Sequence, residues 1–280
     1  MALSPLVSTQ WLAEKLASPD IVVVNAWLPP VGKPNAEPEY RDGHIPGAIF
    51  FDVNAISDTT SDLPHMLPPA HVFSSMMRRL GIGDGQTIVV YDGVGLYSAA
   101  RVWWMFRAMG VEQVFVLDGG LPKWREEGHP IEDMPPPPRG ERHFTARLNN
   151  GLVANLDKVA QALTSGAQVL DARSRGRFAG TDPEPRAGLR SGHMPGALNL
   201  PFTELLDDGR MKPADELASA FDAASLDRSR PVITTCGSGV TAAILSLALA
   251  VTGHDKAPVY DGSWTEWGGR DDTPIATGEA

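Results

Sequence analysis

Short apolar runs alternate with longer mixed segments along the whole chain, and that rhythm sets the fold class. Ile21–Ala26 (IVVVNA), Thr87–Asp92 (TIVVYD), Val114–Leu117 (VFVL), Gln168–Ala172 (QVLDA) and Pro231–Thr235 (PVITT) are rich in β-branched residues and predict buried strands. Between them, Trp11–Leu16, preceded by Ser8 as an N-cap, reads as a helix, as does Ser98–Met109. Thr241–Thr252 (TAAILSLALAVT) is apolar, rich in helix formers and long enough for about three turns. Strands alternating with helices in this way predict an α/β fold, with an open, mostly parallel sheet covered by helices on both faces.

The markers then repeat. Gly43-His44-Ile45-Pro46-Gly47-Ala48 returns as Gly192-His193-Met194-Pro195-Gly196-Ala197, each with a strand-like run ahead of it. Thr87–Asp92 matches Pro231–Cys236, and Val114–Gly120 matches Pro258–Ser263; each copy then runs on to a tryptophan, Trp124 or Trp267. The offsets are 149, 144 and 143 positions, which mark a duplicated domain and not a short-period solenoid. Met134-Pro135-Pro136-Pro137-Pro138-Arg139-Gly140 reads as a stiff, extended connection. The expected layout is therefore a first domain over 1–133, a Pro-rich linker over 134–150 and a second domain over 151–280.

One residue carries the candidate chemistry. Cys236 is the sole cysteine, and it stands between the strand Pro231–Thr235 and the helix that opens near Thr241, in the turn Cys236-Gly237-Ser238-Gly239-Val240-Thr241. Successive N–H groups of such a turn point inward, and the helix N-terminus adds partial positive charge. A sulfur placed there is favoured as a thiolate, as is any anion attached to it. A lone cysteine can also be a small buried hydrophobe, but two glycines around a serine directly after it do not suit simple core packing. The duplication places Asp92 where the second copy has Cys236, so the first domain cannot run cysteine chemistry at its own turn and serves better as a wall of the cleft.

Composition narrows the partners. The chain has 280 residues, 42% hydrophobic and 21% charged, with no apolar stretch long enough to span a bilayer. A net charge of −10 disfavours nucleic acid and anionic membranes, and leaves an anionic substrate to be attracted by local arginines. One cysteine excludes an intrachain disulfide and a Cys-rich metal site. Met1-Ala2-Leu3-Ser4 lacks the basic start and apolar run of a secretory signal, which gives the cytoplasm as the expected compartment.

The paired G-H-[IM]-P-G-A segments, the strand–Cys–turn–helix element and the tandem layout resemble the two-domain rhodanese-type sulfurtransferases over nearly the whole chain. The Cys236–Thr241 turn and Gly176–Arg186 (GRFAGTDPEPR) resemble those of the 3-mercaptopyruvate sulfurtransferases in particular. The resemblance implies two tandem rhodanese-like domains, with Cys236 as the nucleophile that accepts sulfur as a persulfide and Ser238 beside it. It implies that Arg177 and Arg186 grip the donor's carboxylate and carbonyl, and that Gly237, Gly239, Val240 and Thr241 complete the donor cradle. It also implies a Ser–His–acid relay with His65 as the histidine; Asn54 stands at the position of the acid, where it can orient an imidazole but brings no charge. Thiosulfate-specific relatives carry basic residues where this chain has Gly237 and Ser238, so mercaptopyruvate is the favoured donor and thiosulfate the alternative. The acceptor would be cyanide, a thiol or a thioredoxin-like protein, and the reaction calls for no cofactor and no metal.

Plainer roles remain for several of these residues. Arg177 and Arg186 could simply pair with Glu184 or Asp182, and His65 could be a hydrogen-bonded turn residue between prolines. His44 and His193 occur in both copies, one of which lacks the cysteine, and point to turn architecture; Asp118 and Asp261 likewise. Trp103, Trp104, Trp124 and Trp267 read as packing residues. A cysteine phosphatase would need an arginine six positions after the cysteine, where this chain has Ala242. A non-catalytic sulfur-binding or redox module is the other alternative, although a redox switch would want a resolving cysteine that the chain lacks.

Overall fold

The computed structural model describes residues 4–33 and 36–279; Met1–Leu3, which enter the reading of the chain start, lie outside them. Contacts divide the chain into two units. One comprises the residues up to Thr59 with Leu67–Asn149 and Asp208–Met211; the other comprises Thr60–Met66, Asn150–Asp207 and the residues from Lys212 onward.

In the first unit, β1 (Leu6–Val7), α1 (Thr9–Lys15), β2 (Ile21–Trp27), β3 (Ile49–Asp52), α2 (Ala70–Arg79), β4 (Thr87–Tyr91), α3 (Ser98–Ala108), β5 (Val114–Leu117) and α4 (Gly120–Glu126) follow in chain order. Their strands form one parallel sheet in the order β1-β5-β4-β2-β3. The second unit repeats the pattern with β6 (Val153–Ala154), α5 (Leu156–Ser165), β7 (Gln168–Asp171), α6 (Arg175–Ala179), β8 (Leu198–Asn199), β9 (Leu206–Asp207), and, after β10 (Arg210–Met211), α7 (Ala214–Ala223), β11 (Val232–Thr235), α8 (Ala242–Val251), β12 (Val259–Tyr260) and α9 (Ser263–Trp267). Its parallel sheet runs β6-β12-β11-β7-β8, the same order, strand for strand. The central strands β4 and β11 are buried almost throughout, because helices cover both faces of the sheet.

The repeated motifs do matching structural work. His44 stacks on Tyr40 at 4.0 Å and its Nδ1 faces Tyr40 O, while His193 stacks on Phe178 at 3.8 Å and its Nδ1 faces Phe178 O. Trp124 Nε1 donates to Pro130 O at 2.7 Å and Trp267 Nε1 to Pro274 O at 2.8 Å, so each indole ties down the chain that follows its unit's last helix. Ser8 caps α1 by accepting the Trp11 N–H, as its position predicts.

The contacts draw the domain borders differently from the sequence. The segment expected as a linker over 134–150 runs along the first unit at its C-terminal end. Asp84 accepts the Thr145 N–H, Ser74 Oγ accepts the Ala146 N–H, and Arg147 and Asn149 donate to Met109 O and Ala108 O. Phe144 is buried against Phe73. Residues 60–66, and His65 with them, group with the second unit instead of the first.

Candidate active site

In the second sheet the chain leaves β7 toward β8 on one side and leaves β11 toward β12 on the other. The crevice at the carboxyl ends of two strands that diverge in this way is where open α/β sheets bind ligands. Thr235 and Asp171 are paired across that point, so Cys236 and Ala172–Arg173 emerge side by side.

Cys236 is buried, 2% exposed. Its carbonyl accepts the Trp264 N–H at 2.9 Å, and the Gly237 carbonyl accepts both the Thr265 N–H and the Thr265 hydroxyl. With these carbonyls tied to α9, the other side of the turn is made of amides. Among the described residues no protein acceptor takes the N–H groups of Gly237, Ser238, Val240 or Thr241. Gly239 allows the turn through a φ of +77°. The first copy shows what such a turn holds. The Asp92 carboxylate, at the position of Cys236, accepts the N–H groups of Val94 (3.1 Å), Tyr97 (2.6 Å) and Ala99 (2.9 Å), whose counterparts in the second copy are Ser238, Thr241 and Ala243. Burial drives the Asp92 pKa up, and these amide bonds pull against it.

A buried ionic ladder stands beside the turn. Arg173 is fully buried, clasps Asp171 at 2.7 and 2.9 Å, donates to Gly192 O, and lies over the Trp264 ring at 4.1 Å. Its Nη1 reaches Glu184 Oε1 at 2.8 Å. Burial works against the Arg173 charge, yet Asp171 and Glu184 outweigh it and hold its pKa above the ordinary arginine value. Glu184 is in turn clasped by Arg177 through Nε (3.2 Å) and Nη2 (2.6 Å). The plainer pairing of Arg177 with Glu184 therefore exists. A Cβ on Gly237 would stand 3.0 Å from Arg177 Nη2, so the guanidinium lies against the cysteine turn. Arg177 Nη1 has no acceptor among the described residues.

Arg186 Nη2 lies 3.4 Å from His65 Nε2. An arginine N–H can only donate, so Nε2 stands as the acceptor in this contact. His65 itself adopts a φ of +63°. Ser238 is buried, and no hydrogen bond joins its hydroxyl to His65 among the described residues. Asn54 lies in the turn after β3, in the first unit, where its N–H is held by Asp52 Oδ1. Ala242, where a phosphatase would need its arginine, is wholly buried at the start of α8.

Sequence reasoning missed Arg173, Ser263 and Thr265. Arg173 follows the strand read over Gln168–Ala172, and nothing in that run shows that the arginine turns inward. A cavity of about 710 Å³ in the same unit, lined by Arg175, Phe178, Ala179, Leu198, Asn199 and Ala223 among others, includes neither Cys236 nor Arg177 nor Arg186. No group of three or more His, Cys, Asp or Glu side chains among the described residues could hold a metal ion.

A family model, the rhodanese-like domain, matches residues 8–127 and again 155–270. The chain belongs to the rhodanese family. Both matches fall on the duplicated sheets, so this is a tandem rhodanese protein with one cysteine-bearing copy. It is 44% identical over 279 residues to a 3-mercaptopyruvate sulfurtransferase of Escherichia coli, covering 98% of this chain and 99% of that one. It is also 44% identical to a thiosulfate sulfurtransferase of Rattus norvegicus, over 94% of this chain and 91% of that one. The crystal structure of SseA from Escherichia coli, a 3-mercaptopyruvate sulfotransferase with the rhodanese fold, superposes with a TM-score of 0.86 at 41% identity, covering 94% of this chain and 99% of that one. No helix among the described residues is long and apolar enough to cross a membrane.

Proposed function

We propose that the protein is a sulfurtransferase that takes sulfur from 3-mercaptopyruvate onto Cys236 and passes it from the resulting persulfide to a thiophilic acceptor. The observation that carries this reading is the lone buried thiol in a turn where the N–H groups of Gly237, Ser238, Val240 and Thr241 meet no protein acceptor among the described residues, with the Arg177 guanidinium laid against it. The Cys236 thiolate attacks the donor's sulfur, forming an S–S bond. The carbon–sulfur bond breaks and its electron pair passes to the carbon next to the carbonyl, giving the enolate of pyruvate. The proton that was on the donor's sulfur ends on that carbon, so pyruvate leaves and the negative charge stays on the persulfide. Charge builds on the enolate oxygen next to a carboxylate, and two planar guanidinium groups suit that pair of oxygens. Arg177 and Arg186 take this role. His65 accepts from Arg186 and orients it, and Ser238, Gly239, Val240 and Thr241 line the turn that holds the persulfide.

The neutral Gly237 and Ser238 favour mercaptopyruvate, whose charge lies away from its sulfur, over thiosulfate, a compact dianion whose leaving sulfite needs a cation close by. The acceptor is a small thiophile such as cyanide or a thiol, or a thioredoxin-like protein. Steady-state rates with the two donors test the reading. A higher kcat/KM for mercaptopyruvate than for thiosulfate supports it. Preference for thiosulfate would move the protein to the other donor class, and no turnover of either would leave a non-catalytic sulfur-binding module.

A further inference from the structure

Ser263 opens α9 with a φ of +49°, in the left-handed region that residues with side chains seldom take. Its counterpart in the first copy is Gly120, with a φ of +51°, where a Cβ would meet Gly95 O at 2.7 Å and Asp92 O at 2.8 Å. The same left-handed φ is thus taken by glycine in the copy without the cysteine and by serine in the copy with it. The hydroxyl of that serine is wholly buried and fully engaged. It donates to Tyr260 O at 2.7 Å, and its oxygen accepts the Cys236 N–H at 3.2 Å and lies 3.4 Å from the Thr235 hydroxyl. The next residue, Trp264, gives its N–H to Cys236 O. The first copy retains that second bond, from Leu121 to Asp92 O, but Gly120 has no hydroxyl to supply the first.

We propose that Ser263 is a positioning residue for the nucleophile: a strained serine kept because its hydroxyl fixes the N–H of Cys236, so that the sulfur is aimed into the amide turn. Strained backbone persists where the surroundings over-determine it, and such sites cluster at catalytic centres. Without the hydroxyl, the Cys236 N–H is left buried and unpaired, and the peptide can rotate to find another acceptor, carrying the sulfur with it. This inference rests on Cys236 being the nucleophile.

The test uses Ser263→Gly and Ser263→Ala in the full chain. Both lose the hydroxyl, but only glycine relieves the left-handed strain. Three readouts are taken: the thermal midpoint, the steady-state constants with mercaptopyruvate, and the rate of Cys236 alkylation by iodoacetamide against pH. Ser263→Gly melts higher than Ser263→Ala. In both variants kcat falls together, by about tenfold to a hundredfold, with donor KM changed by less than about twofold. Alkylation at neutral pH slows and its pH profile moves upward, as the thiolate loses its amide contacts. A kcat that follows the melting temperatures, or variants with parental kcat and alkylation, would overturn the proposal. Alkylation needs no sulfur donor. A parent that transfers no sulfur would therefore remove the proposed function, while the claim about Ser263 would still be decided by the alkylation profiles. Should Ser263→Ala fail to fold, the profile of Ser263→Gly decides alone.

Discussion

Asp92 and Cys236 hold the same place in two copies of one sheet, 144 positions apart, each the first residue beyond the central strand and each at the mouth of the same turn. In the first copy the turn closes on a carboxylate of its own through backbone N–H groups alone. The turn thus offers its backbone N–H groups to a buried acceptor at this position.

That equivalence predicts the effect of Asp92→Asn. The substitution keeps the shape but turns an amide NH₂ toward N–H donors. One buried pairing becomes donor against donor, which costs about 1–3 kcal/mol. Thermal unfolding of Asp92→Asn should show a lower midpoint than the parent. An unchanged midpoint would mean that the carboxylate does not fill the turn as an anion.

Arg177→Lys and Arg186→Lys keep the charge and remove the planar fork. The kcat/KM for mercaptopyruvate should fall by about one to two orders of magnitude in each. Parental kinetics in both variants would place the donor elsewhere.

Glu184 is the hinge of the ladder, shared by a buried arginine and the arginine that faces the turn. Glu184→Gln leaves one Arg177 clasp without its charge. Donor KM should rise by about tenfold, near 1.4 kcal/mol, with a smaller change in kcat. The reverse split in steady-state kinetics would show that Arg177 does not act in donor binding.

The close approach of Arg177 to Gly237 refines the question of donor choice. A side chain on Gly237 presses on Arg177, so Gly237→Ala should lower mercaptopyruvate efficiency several-fold without adding any charge. Ser238→Lys adds a cation to the turn. It should raise the thiosulfate-to-mercaptopyruvate ratio of kcat/KM by about tenfold, one charge-assisted bond's worth. A ratio that does not move with Ser238→Lys would take donor choice away from the charge of the turn.

Much of this was readable in the chain. The β-branched runs gave the central strands because those strands are buried on both faces and carry no alternation to confuse them. The repeated G-H-[IM]-P-G-A segments marked the duplication because each fixes the same stacked histidine. The borders were not readable. Thr145, Ala146 and Asn149 are tied to partners dozens of positions away, and such bonds leave no periodic trace, so the proline-rich stretch reads as a stiff, extended linker. Arg173 looked like any charged residue at a strand end; only the approach of Asp171, Glu184 and Trp264 in space turns it inward. Ser263 looked like an ordinary residue after a glycine, since a backbone dihedral angle has no signature in residue type when serine takes the place of glycine.

The central claim is that Cys236 carries the transferred sulfur, and intact-mass measurement after incubation with 3-mercaptopyruvate, without acceptor, tests it most directly. The parent should gain the mass of one sulfur atom, released by a reducing thiol, while Cys236→Ser should keep its mass and its fold, because a hydroxyl is far less nucleophilic at neutral pH. A parent that gains no sulfur, or a Cys236→Ser protein that still gains it, would contradict the account.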